Sequence, residues 1–136
     1  MQTKFGHIVI HCQPKNMGFY KDLFTFLGWS VLYEEEGVIL GVGNVDGSSL
    51  WFGGSIKPEV QNDYDGPGMN HLGIQTTTQS EVDETVAYLQ DKGITALFET
   101  PRHRPEFSSP GNTYYQVMFE SPDRILFEVV YIGPKA

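Results

Sequence analysis

The chain has 136 residues, is 40% hydrophobic and 13% aromatic, and carries a net charge of −8. That is the length of one ordinary domain with enough apolar side chains for a core, and its acidic balance repels phosphate backbones, which excludes nucleic acid as an expected partner. No apolar run approaches the roughly 20 residues that span a bilayer, and the opening MQTKFGHIVIHC lacks the layout of a secretory signal, so no membrane partner is expected and a cytoplasmic location is.

Phe5 to Cys12 reads as a strand rich in β-branched residues. Its one cysteine, Cys12, has no internal disulfide partner and reads as a buried thiol in a reducing compartment. From Asn16 to Leu27 the apolar residues Met17, Phe19, Tyr20, Leu23, Phe24 and Leu27 recur at helical spacing, and Gly28 follows as a stop. Ser30–Tyr33, Val38–Val42 and Ser49–Phe52 are strands, separated by turns at Glu35–Gly37 and Asn44–Gly47. Residues 54–69 are polar and rich in Gly and Pro, and read as a connection.

The order then restarts. Asn70–Thr76 is a strand, and Ser80–Lys92 a helix with Ser80 as its N-cap and Gly93 as its stop. Ile94–Glu99 is a strand, followed by a long loop, TPRHRPEFSSPGN. Thr113–Phe119 and Ile125–Ile132 are the last strands, joined by the turn SPDR. Each half therefore reads β-α-β-β-β. The halves also overlay by letter: His7 and His71 lie 64 residues apart, and Gly28–Gly93, Leu32–Leu97 and Glu34–Glu99 lie 65 apart.

Strand side chains alternate faces. His7, Val9 and His11 share one face of the first strand, and Ile8 and Ile10 the other. His71, Gly73 and Gln75 share a face of the fifth strand, and Leu126, Glu128 and Val130 a face of the last. An acid within ILFEVVY is costly to bury unless it is paired, and a divalent cation is a suitable partner. His7, His71 and Glu128 thus supply two imidazoles and a carboxylate, a set suited to Zn, Ni, Mn or Fe(II). On spacing alone the same residues also read as two half-core histidines and a solvent-facing glutamate.

Three segments carry a resemblance to a known family. HIVIHCQPKNMGFYKDLFTFLGW, MNHLGIQTTTQSEVDETVAYLQDKGI and YYQVMFESPDRILFEVVY cover about half of the chain in order. They are similar to the vicinal oxygen chelate superfamily, the group of glyoxalase I, bleomycin-resistance proteins and extradiol dioxygenases. The resemblance implies an α+β fold of tandem βαβββ modules forming an open, cup-shaped mixed sheet with flanking helices. It implies one domain over 1–136, with module one at 1–53, a linker at 54–69 and module two at 70–136. It also implies a small-molecule substrate and a homodimer.

Position by position, His7, His71 and Glu128 fall where such proteins hold a divalent metal ion. The place of a fourth ligand falls in SLWFGG, where Leu50, Trp51 and Phe52 cannot coordinate. A three-ligand site of the dioxygenase-like kind is the expectation. Arg124 also departs from the family turn, where glycine is usual. The expected substrate-facing residues are Gln75, Trp51, Tyr115, Arg102 and Arg104, the arginines coming from the one concentrated basic stretch, PRHRPEF, which also holds His103. Tyr114 and Tyr115 must face opposite sides of their strand. His11, Glu99 and Tyr115 are the candidate general bases.

Two functions follow. One is a divalent-metal-dependent enzyme of the glyoxalase or dioxygenase type, with the metal acting as a Lewis acid on a small oxygen-rich substrate. The alternative is a metal-free binding protein, resembling bleomycin-resistance proteins, that sequesters its ligand in an acidic, aromatic cleft.

Overall fold

The computed structural model describes residues 1–135. The chain divides into two compact units, Met1–Gln61 and a second beginning at Asn62. Both are βαβββ modules with the same strand order, so the fold is α+β, as the repeat implies.

In the first unit, β1 (His7–Cys12) is followed by a 3-10 turn at Pro14–Asn16, α1 (Met17–Phe26), β2 (Ser30–Glu35), β3 (Ile39–Gly43) and β4 (Ser49–Gly54). The sheet order is β1-β4-β3-β2, with β1 and β4 parallel and the other pairs antiparallel. Alternation works as read: Ile10 and Cys12 are buried, whereas His7, Val9 and His11 are exposed. Helix α1 buries Met17, Tyr20, Leu23 and Phe24. The Tyr20 ring stacks on Phe52 at 4.3 Å, and Leu40, Val42 and Leu50 complete the core. The helix ends at Gly28, whose φ of +89° suits a residue without Cβ.

The second unit contains β5 (Leu72–Thr76), α2 (Gln79–Asp91), β6 (Leu97–His103), a 3-10 turn at Pro105–Phe107, β7 (Asn112–Glu120) and β8 (Leu126–Pro134). Its order is β5-β8-β7-β6, again with the first pair parallel. Val82, Thr85 and Leu89 of α2 are buried, as are Val117, Phe119, Phe127 and Val129 of the sheet.

Several local expectations are corrected. Strand β1 starts at His7 rather than Phe5, and β5 starts at Leu72, so His71 stands just ahead of its strand. The N-cap of α2 is Thr78, not Ser80. The Thr78 hydroxyl accepts from the Glu81 amide while Glu81 accepts from the Thr78 amide, a reciprocal capping box that satisfies donors at both ends. Burial pushes the Glu81 carboxyl up, but the amides and hydroxyls of Thr77 and Thr78 outweigh it and hold it low. The second strand of the module is displaced too: β6 runs from Leu97 to His103, not from Ile94 to Glu99. Its register shifts between Leu97 and Arg102, around Phe98 and Glu99, which both have positive φ. Part of the expected 100–112 loop is therefore strand.

The end of the connection packs on the second unit. Tyr64 is buried against Met118 and Leu126, and its hydroxyl donates to Glu120 at 2.9 Å. This packing explains Arg124. Its φ is +59°, the left-handed region that costs an ordinary residue about 1–2 kcal/mol relative to glycine. Its guanidinium bonds Asp63 at 3.0 Å and Asp65 at 3.1 Å and lies 4.2 Å from the Tyr64 ring centre. Two ion pairs and a cation–π contact offset the backbone cost.

Candidate metal site

Parity and register place the chemistry of the second unit. Glu128 of β8 pairs directly with Gly73 of β5 on one side and Met118 of β7 on the other. Directly opposed residues share a face, so Gly73, Gln75, Arg102, Tyr114, Gln116, Glu128 and Val130 stand together on one face. Tyr115, His103, Phe127 and Val129 stand on the other, which α2 covers. Gly73 provides room: a Cβ there would sit 3.2 Å from Glu128 Oε1.

Glu128 is 4% exposed, and its carboxylate is held by neutral donors. The Tyr114 hydroxyl lies 2.9 Å from both Oε1 and Oε2. Gln116 Nε2 donates to Oε2, and Gln116 Oε1 in turn accepts from Arg104 Nη1 at 3.0 Å. A charge thus reaches the carboxylate through one amide, a polarised chain of the kind that stiffens buried polar groups. Burial first, and the bond to Glu128 second, push the Tyr114 hydroxyl up to about 12, so it donates at neutral pH. Phe107 packs edge-on against Tyr114 at 5.4 Å and carries the Arg104 guanidinium 4.9 Å from its ring centre.

His71 completes this group. Its Nε2 stands 3.7 Å from Glu128 Oε1. Its Nδ1 lies 2.7 Å from Asn70 Oδ1, an acceptor, so in the neutral imidazole Nδ1 carries the proton and Nε2 presents its lone pair. A hydrogen-bonded far nitrogen is how metal-binding histidines are oriented. Two acceptors face each other across 3.7 Å. One ion bound to both at about 2.0–2.2 Å would set them roughly 3.0–3.4 Å apart. A closure of a few tenths of an ångström suffices, so the pair fits as two ligands of a divalent cation.

The first unit repeats the geometry with different side chains. His7 pairs with Ser49, Ile8 with Leu50 and Val9 with Trp51, as Leu72 pairs with Phe127 and Gly73 with Glu128. His7 is thereby the counterpart of His71, His11 of Gln75, and Trp51 of Glu128. The Trp51 indole fills the space over Gly41, where a Cβ would meet its ring at 2.4 Å. The expected fourth-ligand position thus carries an indole. Among the described residues no three His, Cys, Asp or Glu side chains gather in a metal-holding group.

The other expected residues divide by face. Arg102 pairs with Gln116 on the Glu128 face and lies 3.7 Å from Glu99, whose side chain is 89% exposed. Gln75 is exposed on the same face, and His11 is exposed in the first unit, its ring against Gly53. Tyr115 is turned away: on the helix face its hydroxyl donates to Asp83 of α2 at 2.6 Å. Burial, then Asp83, push it up to about 12. Its companion Tyr114, with Gln116, is what sequence reasoning missed as a partner of Glu128.

No family model and no curated protein matches the chain. Solved structures do. A candidate glyoxalase of Bacillus halodurans superposes with a TM-score of 0.78 at 23% identity, covering 96% of both chains. The lactoylglutathione lyase of Agrobacterium tumefaciens gives 0.64 at 15% identity, over 96% of this chain and 94% of that one. A fosfomycin resistance protein, FosX of Listeria monocytogenes, solved with Mn(II) and dihydroxypropylphosphonic acid, gives 0.65 at 18% identity, over 95% and 90%.

This chain has the vicinal oxygen chelate fold. No helix among the described residues is long and apolar enough to cross a membrane.

Proposed function

We propose that the protein is a divalent-metal-dependent enzyme of the glyoxalase or dioxygenase type, with His71, Glu128 and His7 as the three protein ligands. The observation that carries this reading is the His71–Glu128 pair: an imidazole lone pair aimed at a buried carboxylate, with Nε2 and Oε1 3.7 Å apart. His7 is the counterpart of His71 by register, exposed on the face of β1 away from α1. The ion, when bound, supplies Lewis-acid polarisation of a substrate oxygen; its candidates are Zn, Ni, Mn and Fe.

The chain's own residues do the positioning. Tyr114 and Gln116 hold the carboxylate in one orientation, and Arg104 anchors Gln116. Arg102 and Arg104 offer cationic donors for a carboxylate or enolate oxygen of a small substrate. Gln75 and Trp51 supply a polar and an aromatic surface on the corresponding faces of their modules. A cytoplasmic homodimer is part of the same proposal, and light scattering showing a monomer would remove the dimer from it.

The alternative, a metal-free sequestering protein, is supported by the net charge of −8 and by aromatic side chains such as Trp51 and Tyr114. Metal analysis of protein purified without chelators separates the readings. One equivalent of a transition metal per chain supports the enzyme. Metal-free protein that also fails to take up added Mn, Ni or Zn gives the binding protein its place.

A further inference from the structure

The helix-covered side of the second unit holds a cavity that the proposed metal site does not use. Its volume is about 670 Å³, within the range of small-molecule sites, roughly 300–1,000 Å³. It lies between the N-terminal end of α2 and the 105–113 segment. His103 and Thr113 line it, on strands whose opposite faces carry Arg102 and Tyr114. Among the described residues no acidic side chain lines it, although the protein carries a net charge of −8.

Its polar groups are donors. Lys135, exposed just past the end of β8, is among its lining residues, and among the described residues its ammonium has no ion-pair partner. His103 Nδ1 hydrogen-bonds the Thr113 hydroxyl and its ring packs on Tyr115 at 4.7 Å, which fixes the imidazole; with the Thr113 hydroxyl donating to Nδ1, the proton is on Nε2, which has no partner among the described residues. The Ser109 hydroxyl accepts from Asn112 at 2.8 Å and keeps its own proton to give. The side-chain amide of Gln79, the first residue of α2, makes no hydrogen bond among the described residues. Pro105 and Pro110 give the rest of the wall an apolar character.

We propose that this cavity binds a small phosphorylated molecule. Its phosphate would be held by the Lys135 ammonium, with His103, Ser109 and Gln79 donating to the remaining oxygens, and its body would lie against the two prolines. One cation and three neutral donors from separate segments match a tetrahedral oxyanion with several acceptors better than a single planar carboxylate.

The test is titration of the full chain with inorganic phosphate at constant ionic strength, followed by amide chemical shifts and by calorimetry. The expected result is a saturable shift centred on Gln79, His103, Asn112 and Lys135. Lys135→Gln should weaken phosphate binding about tenfold or more, the value of one charged hydrogen bond. Lys4→Gln, which removes the same charge from an exposed position in the first unit, should change it less than about twofold. Absence of a saturable shift, equal weakening in both variants, or shifts centred on Arg102 and Arg104 instead would each overturn the assignment.

Discussion

Tyr114→Phe removes one oxygen and leaves the ring packed against Phe107. The lost hydroxyl is a donor placed 2.9 Å from both oxygens of a carboxylate that is 4% exposed. A hydrogen bond to a charged group contributes about 1.5–3 kcal/mol, and one proton is shared here between two acceptors, so a loss of about 2 kcal/mol follows. At about 2.1 cal/mol/K of unfolding entropy per residue, a cooperative chain of this length loses roughly 7 °C in Tm. The assay is thermal unfolding by circular dichroism at pH 7 with chelator present, in the parent and in a Glu128→Gln background. With a neutral amide as acceptor the hydroxyl contributes only about 1 kcal/mol. The two backgrounds should therefore differ by about 1 kcal/mol of coupling. Equal losses in both backgrounds would refute the claim that Tyr114 acts on the Glu128 charge.

Thr78→Ala should cost about 1 kcal/mol, read as a lower urea midpoint at unchanged slope, because the α2 capping box loses its hydroxyl; Ser80→Ala should cost much less. Gly41→Ala should destabilise by about 1–3 kcal/mol, since the added Cβ meets the Trp51 ring at 2.4 Å, and near-ultraviolet dichroism should register the moved indole. The Asp63 carboxyl is held below its ordinary 3.8 by the Asp65 amide first and the Arg124 guanidinium second. A depressed carboxyl stabilises above its unfolded value and loses that effect as pH falls through the folded one. Asp63→Asn should therefore be less stable than the parent at pH 7, with the gap closing below about pH 3.8 in denaturation curves taken down the pH scale.

The element order was legible because both modules write their faces in alternation: Ile8, Ile10 and Cys12 against His7, Val9 and His11 is readable without coordinates, and the packing follows it. The α2 boundary was also written in the chain, as Thr78-x-x-Glu81, but the neighbouring Ser80 offered a competing cap. Strand β6 was hidden because Pro101, Arg102 and His103 give a strand the composition of a loop. The donors on Glu128 depend on the β7–β8 register, in which Gln116 and Tyr114 face the carboxylate and Tyr115 does not. That register is a pairing between strands, and a single strand's periodicity does not contain it. Arg124 is the extreme case: its partners Asp63 and Asp65 lie 61 and 59 residues away, so its left-handed backbone had no local explanation.

The central claim is that Glu128 is a metal ligand held ready beside His71. Calorimetric titration of Zn, Ni and Mn into chelator-stripped protein, parent against Glu128→Gln, tests it most directly. The variant keeps the size of the side chain and its contacts with Tyr114 and Gln116 while removing the anionic ligand. A folded variant whose affinity for at least one of these ions falls by about 100-fold or more agrees with the account, since even partners of a ligand are worth about 10–100-fold. A variant that binds all three ions as tightly as the parent contradicts it.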